Sequence, residues 1–428
     1  MTLKQDFLKE QNFSINNSEL ISIEDFISGV TKERLLLDEL QNIANNYIEL
    51  ERRKRNFARL ILKNIDLLDF SNFIENPNYL IKEKFLKKSV FPANLKGLNV
   101  VCVDGSSVVK KFMDVDFSFL KAIAVKYYFR KSHDATIRFF PDLGGYNNYS
   151  IKGNYKNKEE QAVEASTSIE MTYMEINLLN RLIENQSDID FVIIDGSIMN
   201  SPLNAYLSQD LDLISKYHRL VKEYMRLYEK CKEKNILLIG SIKDTRNSIL
   251  TNLLRDSIML LKPNYSYLKE FLDINYRQIM EYFSDLDLFN RILNKSERSC
   301  VFKCERQSSN NSERNNFYNS DLLNELNLSF YAFYLKTAKY DTPCRIEFFI
   351  DKESKNKDIS EKADVISALL LPISSLNEYY GLPIPQIEAH KRAVFNQEEL
   401  SLLFNNLTRI LLKNGIVLTL KRRNRRPF

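Results

Sequence analysis

The tripeptide Asp-Gly-Ser occurs twice in this chain, each copy following a run of β-branched residues. Asn99-Val100-Val101-Cys102-Val103 leads into Asp104-Gly105-Ser106, and Phe191-Val192-Ile193-Ile194 leads into Asp195-Gly196-Ser197. Val and Ile in such runs predict buried strands, and Asp-Gly predicts an immediate turn after each. A carboxylate at the carboxyl end of a buried strand points out of an apolar core, and two in one sheet could hold a divalent cation. Two ordinary turns are the plainer alternative. A two-metal phosphodiesterase holds its ions about 4 Å apart, each with several oxygen ligands, so two aspartates are not enough. Glu170 and Glu175 lie on a predicted helix ahead of the second copy. Glu175 precedes Asp195 by 20 residues, which lets the helix run back over the sheet and set a carboxylate beside it; a solvent-facing glutamate is the alternative. His390 is one of only three histidines and lies in Gly381-Leu382-Pro383-Ile384-Pro385-Gln386-Ile387-Glu388-Ala389-His390. A neutral imidazole can ligate a metal or take a proton from water near pH 7, or serve structure alone.

The elements that must position these groups follow from periodicity. Leu36, Leu40, Ile43, Tyr47, Leu50, Phe57 and Ile61 recur at spacings of three and four, apart from Lys54 in one apolar slot. That stripe predicts a long helix packed inside the chain or, alternatively, across a dimer. Residues 68–95 read as irregular linkage. Strands are expected at 99–104, 119–129 and 135–140 as an antiparallel meander, with a polar loop over 142–160. A helix over 162–184, a strand over 190–195, a helix over 203–234 and a strand over 236–239 follow. This order is that of a ribonuclease H-like α/β core, a mixed sheet flanked by helices. Residues 249–325 read as helical and polar, ending in the Asn- and Ser-rich run 308–319. Strands at 328–335 and 345–350 and a helix at 360–370 come next. A last helix is capped by Asn396 with Glu399 in a capping box and ended by Gly415. The expected domains are an N-terminal helical region (1–95), the first part of the catalytic core (96–250), a helical insertion (251–325), and core completion with C-terminal helices and a basic tail (326–428).

Composition narrows the class. The 428 residues are 44% hydrophobic and 27% charged, with a formal net charge of +5, as expected of a soluble globular protein. The basic runs 52–55 and 421–426 are solvated faces or tails, or contacts to phosphates. Neither a signal peptide nor a run of about 18 apolar residues is visible. The five cysteines, odd in number and scattered, argue against a disulfide framework and for a cytoplasmic location without membrane association. Cys300 and Cys304 lack partners at zinc spacing and read as structural. There is no GxxxxGK[ST] and no GxGxxG after a strand, so the chain is not itself a nucleotide-driven motor.

On Val103-Asp104-Gly105-Ser106, Ile193-Ile194-Asp195-Gly196-Ser197 and the block 381–390, the sequence resembles the NurA nucleases. Glu175, Ile242-Lys243 and Arg345-Ile346-Glu347 also fall where that family has similar residues, and the resemblance spans about 95–395. It implies a metal-dependent, ribonuclease H-like DNase that works as a homodimer with HerA, a hexameric ATP-driven DNA translocase, in processing DNA ends. It further implies Asp104, Glu175 and Asp195 as metal carboxylates and His390 as the fourth catalytic and metal-binding group. Two Mn2+ or Mg2+ ions would lower the pKa of a bound water and neutralise the phosphate. Lys243 would steady that charge, or stand as a surface lysine. One departure is Leu382, where the family commonly has Tyr; Tyr379 or Tyr380 could substitute. Phe139, Phe140 and Tyr146–Tyr149 could stack on bases, with core packing as the alternative. A catalytically inactive clamp or scaffold and an RNA nuclease are the competing functions, and the setting is repair or antiviral defence.

Overall fold

The β-branched runs pair side by side, and the helices between them close over both faces of the resulting sheet. The computed structural model describes residues 23–74, 79–130, 135–141, 149–155, 160–199, 210–258, 260–261, 266–304 and 326–420. The basic run 421–426, the Asn- and Ser-rich run 308–319 and Tyr146 lie outside them.

The chain divides into two compact units, Met1–Phe57 and Ala58–Phe428. Helix α1 (Ile23–Lys63) begins in the first. Leu36, Leu40, Ile43 and Tyr47 of the stripe are exposed there, whereas Phe57 and Ile61 are buried. The expectation of packing inside the chain is not met for these four within their own unit. The described residues of that unit form one helix and offer it no second apolar face.

In the second unit, a 3-10 turn (Ile65–Leu67), helix α2 (Ser71–Ile74) and strand β1 (Lys87–Ser89) lead to β2 (Asn99–Lys111), β3 (Asp116–Phe129), β4 (Ala135–Phe140) and β5 (Tyr149–Asn154). Helix α3 (Glu160–Asn185), strand β6 (Phe191–Asp195), helix α4 (Leu211–Glu233) and strand β7 (Leu237–Ile242) follow. Then come helices α5 (Ile249–Ile258), α6 (Ser266–Asp273), α7 (Tyr276–Met280) and α8 (Asp285–Ile292), and the short strands β8 (Glu297–Ser299) and β9 (Phe302–Lys303). Strands β10 (Leu328–Lys336) and β11 (Cys344–Asp351) and helices α9 (Asn356–Ser374), α10 (Ile384–Ala393) and α11 (Gln397–Lys413) complete it.

One sheet of 11 strands runs in the order β1-β8-β10-β11-β7-β6-β2-β3-β4, with β5 beside β3 and β9 beside β10. In its stretch β4-β3-β2-β6-β7, only β3 runs against the others. That is the ribonuclease H-like mixed sheet. Its central register sets Val103 opposite Ile194 and Ile194 opposite Gly240, so β6 and β7 end level with the middle of β2, where Asp104 lies. Val100, Cys102, Ile193 and Ile239 form a core with Ile366, Leu370, Ala389 and Ala393 from α9 and α10. Helix α3 packs on β2 and β3 and against α4.

Four local expectations are corrected. Asp104-Gly105-Ser106 is no turn: β2 continues through it to Lys111, held by pairing to β3 as far as Asp116. The loop expected at 142–160 contains β5, which completes its backbone bonds against β3. Two short strands, β8 and β9, lie within the region expected to be helical, and β1 lies within the linkage, paired to β8. The last helix matches its reading: the Asn396 and Glu399 side chains form the capping box, and Gly415 stands at φ +74°, where glycine is favoured. All five cysteines are free and buried. Among the described residues no helix is long and apolar enough to cross a membrane.

Candidate metal centre

Two parallel strands and one helix supply the site. Asp104 lies within β2, where the backbone is still paired to β3, and Asp195 is the last residue of the neighbouring β6. Helix α10 approaches both aspartates. Pro383 is its N-cap and Pro385 lies in its first turn, positions where the missing N–H costs nothing and the fixed φ suits a helix. Gln386 and His390 are four residues apart on it and share a face. That spacing delivers one side chain to each strand: His390 Nδ1 is 2.7 Å from Asp104 Oδ2, and Gln386 Nε2 donates to Asp195 Oδ1 at 2.8 Å.

Ligand atoms of Asp104, Asp195 and His390 lie within 4.8 Å of one another. Asp104 Oδ1 accepts the Gly105 N–H at 2.8 Å, and Lys243 Nζ donates to Asp195 Oδ2 at 2.6 Å. With Asp104 ionised, His390 Nδ1 carries the proton and donates, which leaves the Nε2 lone pair free. The His390 side chain is 56% exposed and that of Asp104 only 11%, so the imidazole sits at the mouth of the cluster.

Glu175 is buried on α3 and approaches from beneath Gly105. A Cβ at Gly105 would overlap Glu175 Oε1 and stand 2.9 Å from Met171 Cγ. Gly105 is therefore required by close approach, with its φ in the ordinary range. Gly196 differs: its φ of +126° is a backbone state that side chains avoid. It closes on Gly240, where a Cβ would stand 2.6 Å from the Gly196 carbonyl oxygen.

The electrostatics suit a cation. Burial first, and then the charge of Asp195, raise the Asp104 carboxyl above its ordinary range against the bonds from His390 and Gly105. Glu175 is held well above its ordinary range by burial and then by Asp104 and Asp195. Carboxylates that raise one another in this way are relieved by a positive ion placed between them. Lys243 already plays that part for Asp195: burial pulls its ammonium down, and the bond and charge of Asp195 more than restore it. Oxygen donors with one imidazole fit Mn2+ or Mg2+.

Of the residues anticipated from sequence, the structure brings Asp104, Asp195, His390 and Lys243 to one place, with Glu175 behind Gly105. Glu170 is engaged elsewhere, paired with Lys216 at 3.2 Å, Arg219 at 3.6 Å and Lys152. Phe139 packs on the core with the Arg392 guanidinium 3.6 Å over its ring, and the Tyr149 hydroxyl bonds Glu399. Leu382 also packs against the core. Arg345 and Glu347 form a buried pair at 2.8 Å, and Ser197 Oγ donates to Glu347 at 2.6 Å, so this pair fixes the turn after Asp195. Gln386 escaped notice. It is fully buried, and Ser241 Oγ donates to its Oε1 at 2.8 Å, which turns its amide nitrogen toward Asp195. Its four-residue spacing from His390 was the available signal.

The NurA domain matches residues 98–395. No curated protein matches the chain. Among solved structures, the NurA nuclease from Sulfolobus solfataricus is similar at 13% identity, covering 87% of this chain and 98% of that one with a TM-score of 0.48. A NurA structure bound to dAMP and manganese is similar at 12% identity, covering 91% and 97% with a TM-score of 0.38. The Bacillus subtilis endonuclease V is similar at 9% identity, covering 74% and 83% with a TM-score of 0.29.

Proposed function

This chain belongs to the NurA domain family, and on that premise we propose that it is a divalent-metal-dependent deoxyribonuclease. The observation that carries the reading is the cluster of Asp104 within β2, Asp195 at the end of the adjacent parallel β6, and His390 from α10. These three residues and Glu175 would hold two Mn2+ or Mg2+ ions. Bound there, such ions lower the pKa of water and neutralise charge on a phosphodiester. The chain's own residues do the rest. Asp104 orients the imidazole, and the single lone pair left on His390 Nε2 faces the mouth of the cluster, where it serves either as a ligand to an ion or, with the ions held by the carboxylates, as the acceptor of a proton. The Lys243 ammonium, within reach of the same space, pairs with a phosphate oxygen. Gln386 holds Asp195 in place.

The catalytic unit on this reading is the core of residues 96–250 and 326–428, interrupted by the insertion 251–325. The partners are a second copy of the chain and a HerA-like hexameric ATPase that feeds DNA ends, in repair or in defence, inside the cytoplasm. The exposed stripe on α1 supports a partner surface.

The test uses purified protein with labelled linear and circular DNA and RNA, in Mn2+, Mg2+ or EDTA, with and without a HerA-type ATPase. DNA cleavage that EDTA stops, and that the ATPase with ATP accelerates on long duplex, is expected. Binding without cleavage in every metal identifies an inactive clamp, and cleavage confined to RNA identifies a ribonuclease.

A further inference from the structure

Two stacked tyrosines lie outside the core, one of them on the segment that leads into the helix carrying Gln386 and His390. Tyr340, in the turn between β10 and β11, stacks on Tyr379, in the segment leading to α10, with ring centroids 4.9 Å apart and planes at 24°. Tyr340 is 56% exposed, Tyr379 72% and the adjacent Tyr380 48%. Large aromatic rings kept in water are poor use of apolar surface unless something covers them.

The segments that carry the rings are fixed to each other. The Tyr340 N–H donates to the Glu378 carbonyl at 2.8 Å, and the Gly381 N–H donates to Asp341 Oδ2 at 2.6 Å. The Thr337 hydroxyl donates to the Gly381 carbonyl. At Gly381 a Cβ would collide with that hydroxyl, so the glycine permits the closure. The rings are thus held in place before anything binds, which lowers the entropy cost of stacking.

A charge lies beside the pair, and the chain joins it to the cluster. Lys339 Nζ lies 4.9 Å from the Tyr340 ring centroid. The Tyr379 segment runs through Gly381 directly into α10, whose Gln386 bonds Asp195 at 2.8 Å. Stacked aromatic rings with an ammonium beside them, on the segment that leads into the helix of the site, match a strand whose base stacks while a phosphate meets the ammonium group. A duplex offers no free base faces except at its ends.

We propose that the Tyr340–Tyr379 pair is a stacking platform for an unpaired base of the nucleic-acid strand next to the bond that is cut. This rests on the nuclease reading above and adds to it a preference for single strands or frayed ends. The test measures binding by fluorescence anisotropy in EDTA, with a single-stranded oligonucleotide, the same oligonucleotide made abasic, and a blunt duplex. Tyr379→Ala should weaken single-strand binding roughly ten- to hundredfold, while Tyr379→Phe keeps it. The abasic strand should bind wild type weakly and lose nothing further in Tyr379→Ala. Duplex binding should be unaffected, and melting temperature should be unchanged in both variants. Equal binding of the intact strand by wild type and Tyr379→Ala, with wild type still cutting DNA, overturns the platform and leaves the nuclease reading intact. Failure of wild type to bind or cut any nucleic acid overturns both.

Discussion

Gln386 and Asp195 are joined by a 2.8 Å hydrogen bond formed where Gln386 has no solvent exposure. Ser241 decides which end of the amide faces Asp195, because its hydroxyl already occupies Oε1. Such bonds behind a ligand typically influence metal affinity or activity by 10- to 100-fold. Gln386→Ala should therefore lower Mn2+ affinity by about that much, read by titration calorimetry, with the melting temperature of the metal-free protein falling less than proportionately. Gln386→Glu should be worse, since it sets a carboxylate against Asp195. Unchanged Mn2+ affinity in both variants would show that Asp195 is held by other means.

His390 and Asp104 should separate on two measurements. His390→Ala is expected to cut the turnover rate by on the order of 100-fold or more and to leave DNA binding largely intact. Asp104→Asn should bring hydrolysis below detection, as should Asp195→Asn, in proteins that still fold. Circular dichroism monitors the fold and a labelled DNA strand the cleavage. Wild-type rates in either aspartate variant at saturating metal would remove these residues from the chemistry.

Gly105→Ala tests the approach of Glu175. The new methyl group would press on Glu175 Oε1 and Met171 Cγ, and overpacking of this kind costs about 1–3 kcal/mol. Glu175→Ala in the same chain removes the nearer obstacle, so the two changes should be less than additive in denaturant melts. Strict additivity would mean that Glu175 does not sit against the strand.

Stability of the metal-free protein should carry a pH signature from Glu175. Its carboxyl lies well above the ordinary range in the folded state, by burial and then by its acidic neighbours. The folded state thus holds that proton more tightly than the unfolded one. The contribution is fully present below the unfolded pKa of about 4.3 and is lost as pH rises through the folded value. In EDTA, Glu175→Gln should gain melting temperature relative to wild type as pH rises toward neutrality. A constant difference between the two across that range would contradict the assignment.

Strand order was legible because β2, β6 and β7 are β-branched runs buried on both faces, a pattern carried in the chain itself. The end of β2 was not. Asp-Gly favours a turn locally, yet pairing from Asn99↔Tyr128 to Lys111↔Asp116 holds that backbone extended, and only the partner strand reveals it. Strand β5 was hidden for a related reason: Tyr149-Ser150-Ile151-Lys152-Gly153-Asn154 is too polar to read as a strand until β3 completes its bonds. Charged candidates were easier to recognise than neutral ones. Asp104, Asp195, Lys243 and His390 stand out by type and place, whereas Gln386 gains its meaning only from the Ser241 and Asp195 groups that meet it in space.

The two Asp-Gly-Ser copies look like an ancestral duplication, but their glycines answer different demands. Gly105 makes room for a carboxylate inside a continuous strand, whereas Gly196 supplies a left-handed bend at a strand end. Ser197 is bonded to Glu347, a residue far along the chain, whereas Ser106 stands inside a continuous ladder opposite Lys121. Selection acting separately at each place is enough to produce the same three letters. Exchanging the copies as modules, or inferring descent of one half of the sheet from the other, would treat a coincidence of spelling as inheritance.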